Sequence, residues 1–356
     1  MDFALDDDQQ LIVDTVRRFA ERELRSWAAD ADRAGAPPER LAAVASELGF
    51  GLDAVPADAG GLLEGSYSHL TRALRGFELG RGCAALAALL ECNVEPALAA
   101  GKWGGQALQQ ALFASMAKGE LATFVHDSRG ALDVAGDRIT GKLGPAPALA
   151  TASYVLVGTR GLLAFVRCDD CKREAIVPSG WRAARWATAT LEGARLDPEL
   201  VLARGDAADA ALADVLAWAR VSLAARAAGV AQAAMDHAEA YGKERVQFGQ
   251  PIGKFEALIR LRDDAQTLTR AAHLVAMHAA WQIDRGLPGA YDSASRARVL
   301  AGDCVARATI DAVQIFGGYG FVNDYPVEKL MRDARAFEAL HGDERLGRVL
   351  AQKAGS

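Results

Sequence analysis

The stretch Tyr241-Gly242-Lys243-Glu244-Arg245-Val246-Gln247-Phe248-Gly249-Gln250-Pro251-Ile252 separates two Ala-rich segments of helical spacing, Ala210–Tyr241 and Phe255–Arg285. It reads as a short turn joining them, and taken alone Arg245 is an exposed cation at a helix end. Two further helical segments follow, Ser293–Phe316 and Val327–Leu340. The first runs into Gln314-Ile315-Phe316-Gly317-Gly318-Tyr319-Gly320-Phe321, whose Gly pair taken alone is an interhelical turn. The second carries Pro326-Val327-Glu328-Lys329-Leu330-Met331-Arg332-Asp333-Ala334. Residues 205–356 therefore read as a bundle of about four long helices.

Upstream of the bundle the period changes. Leu121–Val125, Ala131–Val134, Tyr154–Val157, Leu162–Arg167 and Glu174–Val177 are short strand-like runs bounded by Gly, Pro and Asp, which predicts a small β unit over residues 120–204. Residues 1–119 return to helical spacing in Leu11–Trp27, Pro38–Leu48, Tyr67–Leu90 and Gln106–Lys118. The expected class is α+β, mainly α: a helical unit, a small β unit and a helical bundle.

A chain of 356 residues is long enough for two or three packed units. Hydrophobic residues at 51% and charged residues at 24% exclude disordered and fibrous classes. A net charge of −6 offers no basic field for nucleic acid or an anionic membrane. The acidic start Met1-Asp2-Phe3-Ala4-Leu5-Asp6-Asp7-Asp8 is unlike a signal peptide, and no apolar run reaches the ~18 residues of a membrane span. A cytoplasmic protein is expected, with its five cysteines reduced. Cys168-Asp169-Asp170-Cys171 has the spacing of half a zinc site, but Cys83 and Cys92 supply no second pair. The expectation is no metal, and a hairpin turn between strands Leu162–Arg167 and Lys172–Val177. His69, His237, His273 and His278 fall on helices as packing or surface residues, His126 is given no role, and Trp181 and Trp186 are expected to pack the β unit.

Taken together, in this order and spacing, the three strings resemble the acyl-CoA dehydrogenase family of flavoproteins. The likeness extends to Glu47–Gly61 and Ala225–Gln232, and so covers nearly the whole chain. It implies an N-terminal helical domain, a middle β-barrel or sandwich and a C-terminal four-helix bundle. It also implies FAD as cofactor and an acyl-CoA as substrate. In that chemistry a carboxylate takes the α proton of the thioester while the flavin accepts the β hydride, so a base must lie within hydrogen-bond reach of the α carbon. By the resemblance, Arg245 matches the arginine that reaches the flavin diphosphate, Phe248 the aromatic beside it, and Gln314 with Gly317 and Gly318 the turn that lets backbone approach the adenylate. In the family these groups serve a neighbouring subunit's flavin. Arg220 matches an arginine near the acyl pocket; its structural alternative is a salt-bridged helix residue.

The departures carry as much weight. Strand signatures that hold a subunit's own flavin are replaced by Phe124-Val125-His126-Asp127-Ser128-Arg129-Gly130 and Leu143-Gly144-Pro145-Ala146-Pro147-Ala148. The position of the catalytic Glu is His341, and that of a flavin-contacting Thr is Asp343. The other place where some members carry the base, just before the helix arginine, is Ala219. His341 could accept a proton, with Glu338 and Glu344 as shifted candidates. What a subunit lends is kept and what it needs for itself is lost, so the resemblance implies a non-catalytic subunit paired with a family-related catalytic partner in a heterotetramer. Two alternatives stay open: a self-sufficient homotetramer with His341 as base, and a flavin-free acyl-CoA-binding relative.

Overall fold

The structure, a computed structural model, describes residues 4–341. Helix α1, Asp7–Phe19, starts in a capping box in which Asp6 accepts from the Gln9 N–H at 2.7 Å while the Gln9 side chain accepts from the Asp6 N–H. It runs through a π-helical turn at Ala20–Leu24 into α2, Arg25–Ala34, which ends at Gly35 in the left-handed region. Then come α3 (Arg40–Glu47), α4 (His69–Leu90), α5 (Val94–Trp103) and α6 (Gln106–Ala117). Expected helix Leu11–Trp27 is thus two α-helices and a π turn. The sequence reading had no helix at Val94–Trp103, and α4 breaks at Cys83, whose backbone is extended.

The middle unit has two four-stranded sheets. One orders β1 (Ala122–His126), β4 (Tyr154–Thr159), β5 (Leu162–Arg167) and β8 (Val201–Arg204); the other orders β2 (Leu132–Ala135), β3 (Arg138–Ala146), β7 (Ala187–Arg195) and β6 (Lys172–Ala175). Val125, Val155, Val157 and Ala164 from the first pack on Ile139, Leu143, Ala189 and Leu191 from the second, burying the strand faces between the sheets. The expected hairpin around Asp169-Asp170 is corrected. β5 pairs with β4 and β8 whereas β6 pairs with β7, so the Cys168–Asp170 turn carries the chain from one sheet to the other. Trp181 and Trp186 are buried, but in the core shared with the helical units: Trp181 meets Phe337 edge-on at 4.8 Å.

From Asp206 the chain is helical again: α7 (Asp206–Glu244), α8 (Glu256–Asp284), α9 (Ala290–Phe316) and α10 (Pro326–Ala336). A two-stranded ribbon, β9 (Val246–Gln247) with β10 (Gln250–Pro251), lies between α7 and α8. The last helix gives way at Phe337–Ala339 to a 3-10 turn, short of the expected Leu340. Over residues 215–231 every residue of α7 is buried, and its Ala and Gly residues permit close crossing. A Cβ on Gly229 would stand 2.0 Å from the Phe77 carbonyl oxygen, and one on Gly80 2.3 Å from that of Arg226, so α4 and α7 meet backbone to backbone. The C-terminal end of α8 in turn caps α4: the Asp284 carboxylate accepts from the N–H groups of His69 (2.7 Å) and Leu70 (2.9 Å). Among the described residues no single helix is long and apolar enough to cross a membrane.

Candidate functional site

The residues singled out in the sequence fall into two groups. The first forms where α7 and α9 end. The ribbon after α7 turns through Phe248 (φ +51°) and Gly249 (φ +80°), the two positive φ angles that a tight two-residue hairpin demands. Phe248 is 94% exposed as a result. α9 ends at Gly317, with φ +59° and open space where a Cβ would sit; Gly318 is equally open. An aromatic stack ties the two ends together: Tyr241 on Phe316 at 4.2 Å, with Tyr325 edge-on to both and to Tyr319. The Arg245 guanidinium lies 5.6 Å over the Tyr319 ring, and among the described residues it has no carboxylate partner. Val246, Phe321 (71% exposed) and Val322 complete an apolar rim, and Gln314 is exposed beside it.

The second group surrounds the middle of α7. Arg220, 1% exposed, donates to Ser295 Oγ at 2.9 Å and to the His341 carbonyl oxygen at 3.4 Å, and its guanidinium lies 5.0 Å over the Tyr291 ring. Among the described residues it makes no salt bridge, so the alternative of a salt-bridged helix residue is not what holds it. Arg298 of α9 donates to the Phe337 carbonyl. Two buried arginines thus hold the segment that delivers His341. The His341 ring stacks on Phe124 of β1 at 5.2 Å. Burial, with His126 and Arg220 next, holds its imidazole well below the usual histidine range, which makes it a weak base. Glu338 is paired with Arg335 at 2.5 Å; Asp343 and Glu344 lie outside the described residues.

A 330 Å³ cavity opens on one side of His341, lined by the 124–129 and 142–146 segments and by Glu338–His341. Pro145 and Pro147 bring no N–H to this region. The Asp127 carboxylate is already engaged, accepting from Ala131 N (2.9 Å) and Leu132 N (3.0 Å) in its own turn and from Thr159 Oγ1 of β4 (3.2 Å). On the other side, a cavity of 50 Å³ is lined by both His341 and Ala219. Beneath it lies a cluster the sequence reading did not find. Arg72 grips Glu95 with both terminal nitrogens (2.8 and 3.2 Å), while Glu91 accepts from Arg75 (3.0 Å), Arg226 (2.8 Å) and Ser222 (3.3 Å). Burial alone would raise the Glu91 carboxyl, but Arg75, Arg72 and Arg226 outweigh it and hold it at about 2.

The two groups cannot serve one flavin within one chain. Ala219 and Arg245 stand at the two ends of 26 residues of α7 and its cap, which at ~1.5 Å per residue is roughly 39 Å. The five-carbon ribityl chain between a flavin ring and its diphosphate spans nothing comparable. Tested against FAD, the first group fits: an arginine free to take an acidic group, an exposed aromatic, and an open glycine turn. The second does not match it: the strand signatures that hold a subunit's own flavin are replaced there, and Pro145 and Pro147 bring no N–H to its walls.

A helical–β–helical chain of this topology, with a face at the end of its longest helix whose residues suit FAD, defines a class of FAD-binding oxidoreductase folds. Acyl-CoA dehydrogenase, N-terminal domain matches residues 6–120, and Acyl-CoA dehydrogenase, C-terminal domain matches residues 209–354. The chain belongs to the acyl-CoA dehydrogenase family, an FAD-dependent family. An acyl-CoA dehydrogenase of Bacillus subtilis is 44% identical over 135 residues, 38% of this chain and 35% of that protein. The short-chain-specific acyl-CoA dehydrogenase of Clostridium acetobutylicum is 27% identical and the match covers 98% of each chain. Among solved structures, a chain in that of the electron transferring flavoprotein of Acidaminococcus fermentans superposes with a TM-score of 0.88 at 27% identity, covering 99% of both chains. Butyryl-CoA dehydrogenase from Megasphaera elsdenii shares the fold, with a TM-score of 0.89 at 24% identity over 99% of both chains.

Proposed function

We propose that this chain is the flavin-lending subunit of an acyl-CoA dehydrogenase assembly, two copies of it joined to two copies of a family-related partner that keeps the catalytic base. The observation that carries the reading is the separation of roughly 39 Å along α7 between a face that fits FAD and a cavity that does not. FAD, when bound, supplies the acceptor for the β hydride of the acyl-CoA. This chain's residues bind and orient it from across the interface: Arg245 pairs with the diphosphate, Phe248 covers it, and Gln314 with Gly317-Gly318 admits the adenylate to the backbone. The rim formed by Val246, Phe321 and Val322 is buried against the partner in that arrangement. The partner, not His341, takes the α proton.

The test is the ratio of flavin to polypeptide, from cofactor released by the chain purified alone and after co-expression with a family-related neighbour. The expected result is a ratio near zero alone, rising to about one flavin per two chains in the complex. A ratio near one for the chain alone overturns the reading in favour of a self-sufficient homotetramer.

A further inference from the structure

We infer that the space between α2, α4, α7 and the start of α10 is a binding site for a phosphate group, carried free or on a small organic ester. The inference is independent of the flavin-lending reading. A cavity of 550 Å³ lies there, within the ~300–1,000 Å³ of small-molecule sites. Small residues make the room: Ala28 and Ala29 of α2, Gly82 of α4 and Ala233 of α7 all line it.

Three guanidinium groups from three separate elements converge on this space: Arg25 on α2, Arg81 on α4 and Arg182 in the loop before β7. Each keeps a buried nitrogen without a hydrogen-bond partner, Nε in all three and Nη2 as well in Arg25. Arg81 is otherwise committed, donating to Asp236 at 2.7 Å and Glu78 at 3.0 Å. Arg25 and Arg182 make no ion pair or side-chain hydrogen bond among the described residues. The lining carboxylates do not balance them. Asp32 (2.7 Å) and Glu328 (2.6 Å) are both held by Arg332, and Asp324 is exposed. Part-buried guanidinium groups without a counter-charge cost the fold free energy that an incoming anion returns.

Arg25 is also placed by an irregularity in the backbone. It directly follows the π-helical turn Ala20–Leu24, and its N–H donates to the Ala20 carbonyl five residues back. One extra residue in a turn rotates everything after it by ~100° about the helix axis, so the place of Arg25 on this face depends on that turn. Its charge is felt across the cavity by His237, whose imidazole is pushed below its ordinary value by burial and then by Arg25. α10 begins at the same cavity with Pro326 and no side-chain cap, which adds the positive end of a helix dipole. Phosphate suits such a convergence because it offers separate oxygens to donors arriving from different directions, where a carboxylate offers two in one plane.

The test is thermal unfolding of the purified full chain in inorganic phosphate, AMP or adenosine, each up to about 20 mM at constant ionic strength. Phosphate, AMP or both should raise the melting temperature saturably and adenosine should not; a larger gain with AMP assigns the ester, equal gains the free anion. Arg25→Gln and Arg182→Gln should each weaken the apparent affinity about tenfold or more. Without phosphate, Arg25→Gln should not lower the melting temperature, because it removes an unpaired charge, whereas an arginine kept for stability would lose some. No saturable gain with phosphate or AMP overturns the inference, as does an equal gain in the wild-type chain and both variants; if one variant fails to fold, the other decides. Arg245→Ala should keep the gain, and its loss there would put the anion on the flavin-lending face and overturn the inference while leaving the flavin reading standing.

Discussion

At the residue scale the weight falls on His341. Its ring is stacked, half-buried and held towards the neutral form by desolvation with His126 and Arg220 alongside, so it is poorly suited to hold a proton taken from carbon. In the co-expressed complex, His341→Ala is expected to leave turnover within about twofold, whereas a catalytic base would lose on the order of 10²–10⁴-fold; steady-state rates with a saturating acyl-CoA decide between them. Histidine burial recurs elsewhere. Burial pushes His273 down to about 4, His126 to about 4 with help from Arg220, and His69 to about 3 with help from Arg72 and Lys102. Each is depressed in the fold relative to ~6.5 unfolded, so between those values the unfolded chain binds more protons and stability falls as pH falls. The melting temperature should therefore drop as pH goes from about 7 to 5. His273→Gln should flatten that slope, since each such group contributes at most about 1.4 kcal/mol per pH unit.

At the scale of elements, the α4–α5 junction and α7 are locked by charge as well as by apolar contact. Glu91 faces Arg72, Arg75 and Arg226, and its removal would leave buried guanidinium groups uncompensated. Glu91→Ala should cost about 3–5 kcal/mol of unfolding free energy, read from denaturant midpoints. Depressed to about 2, the Glu91 carboxyl contributes stability above about 4.5 and loses it as pH falls towards 2, below the window in which the histidines act. The elements also show where sequence patterning is weak. β3 escaped detection because Gly141, Gly144 and Pro145 interrupt its alternation and its register with β7 shifts twice. In β7 the alternation is present, but its inward residues Ala187 and Ala189 carry little hydrophobic signal. α5 is Ala-rich with Pro96 in its first turn, which hid a buried helix.

For the whole molecule, the long helix sets the division of labour. Arg245 and Phe248 sit at one end of α7 and His341 with Arg220 near its middle, so in the proposed assembly one copy would face two different places. Arg245→Ala should cut the flavin retained by the purified complex at least tenfold while leaving the chain's own melting temperature within about a degree. The side chain is exposed and touches only Tyr319 among the described contacts. Absorbance of released cofactor and a thermal scan of the same preparation check both halves of that expectation.

Local sequence determined what depends on neighbours along the chain. The 3.6 and 2.0 periods placed a helical unit, a β unit and a helical bundle in order, and the strings around Arg245, Gln314 and Arg332 pointed to the family. The absence of a carboxylate at 219 and 341 was equally readable from residue identity alone. Only the tertiary structure decided the rest. The small volume under His341 and the ionic wall that lines it arise from partners such as Glu91 and Arg226, 135 positions apart. No period or motif encodes that meeting. It follows from the crossing of α4 and α7, where glycines let two backbones approach until their long polar side chains have only each other to pair with.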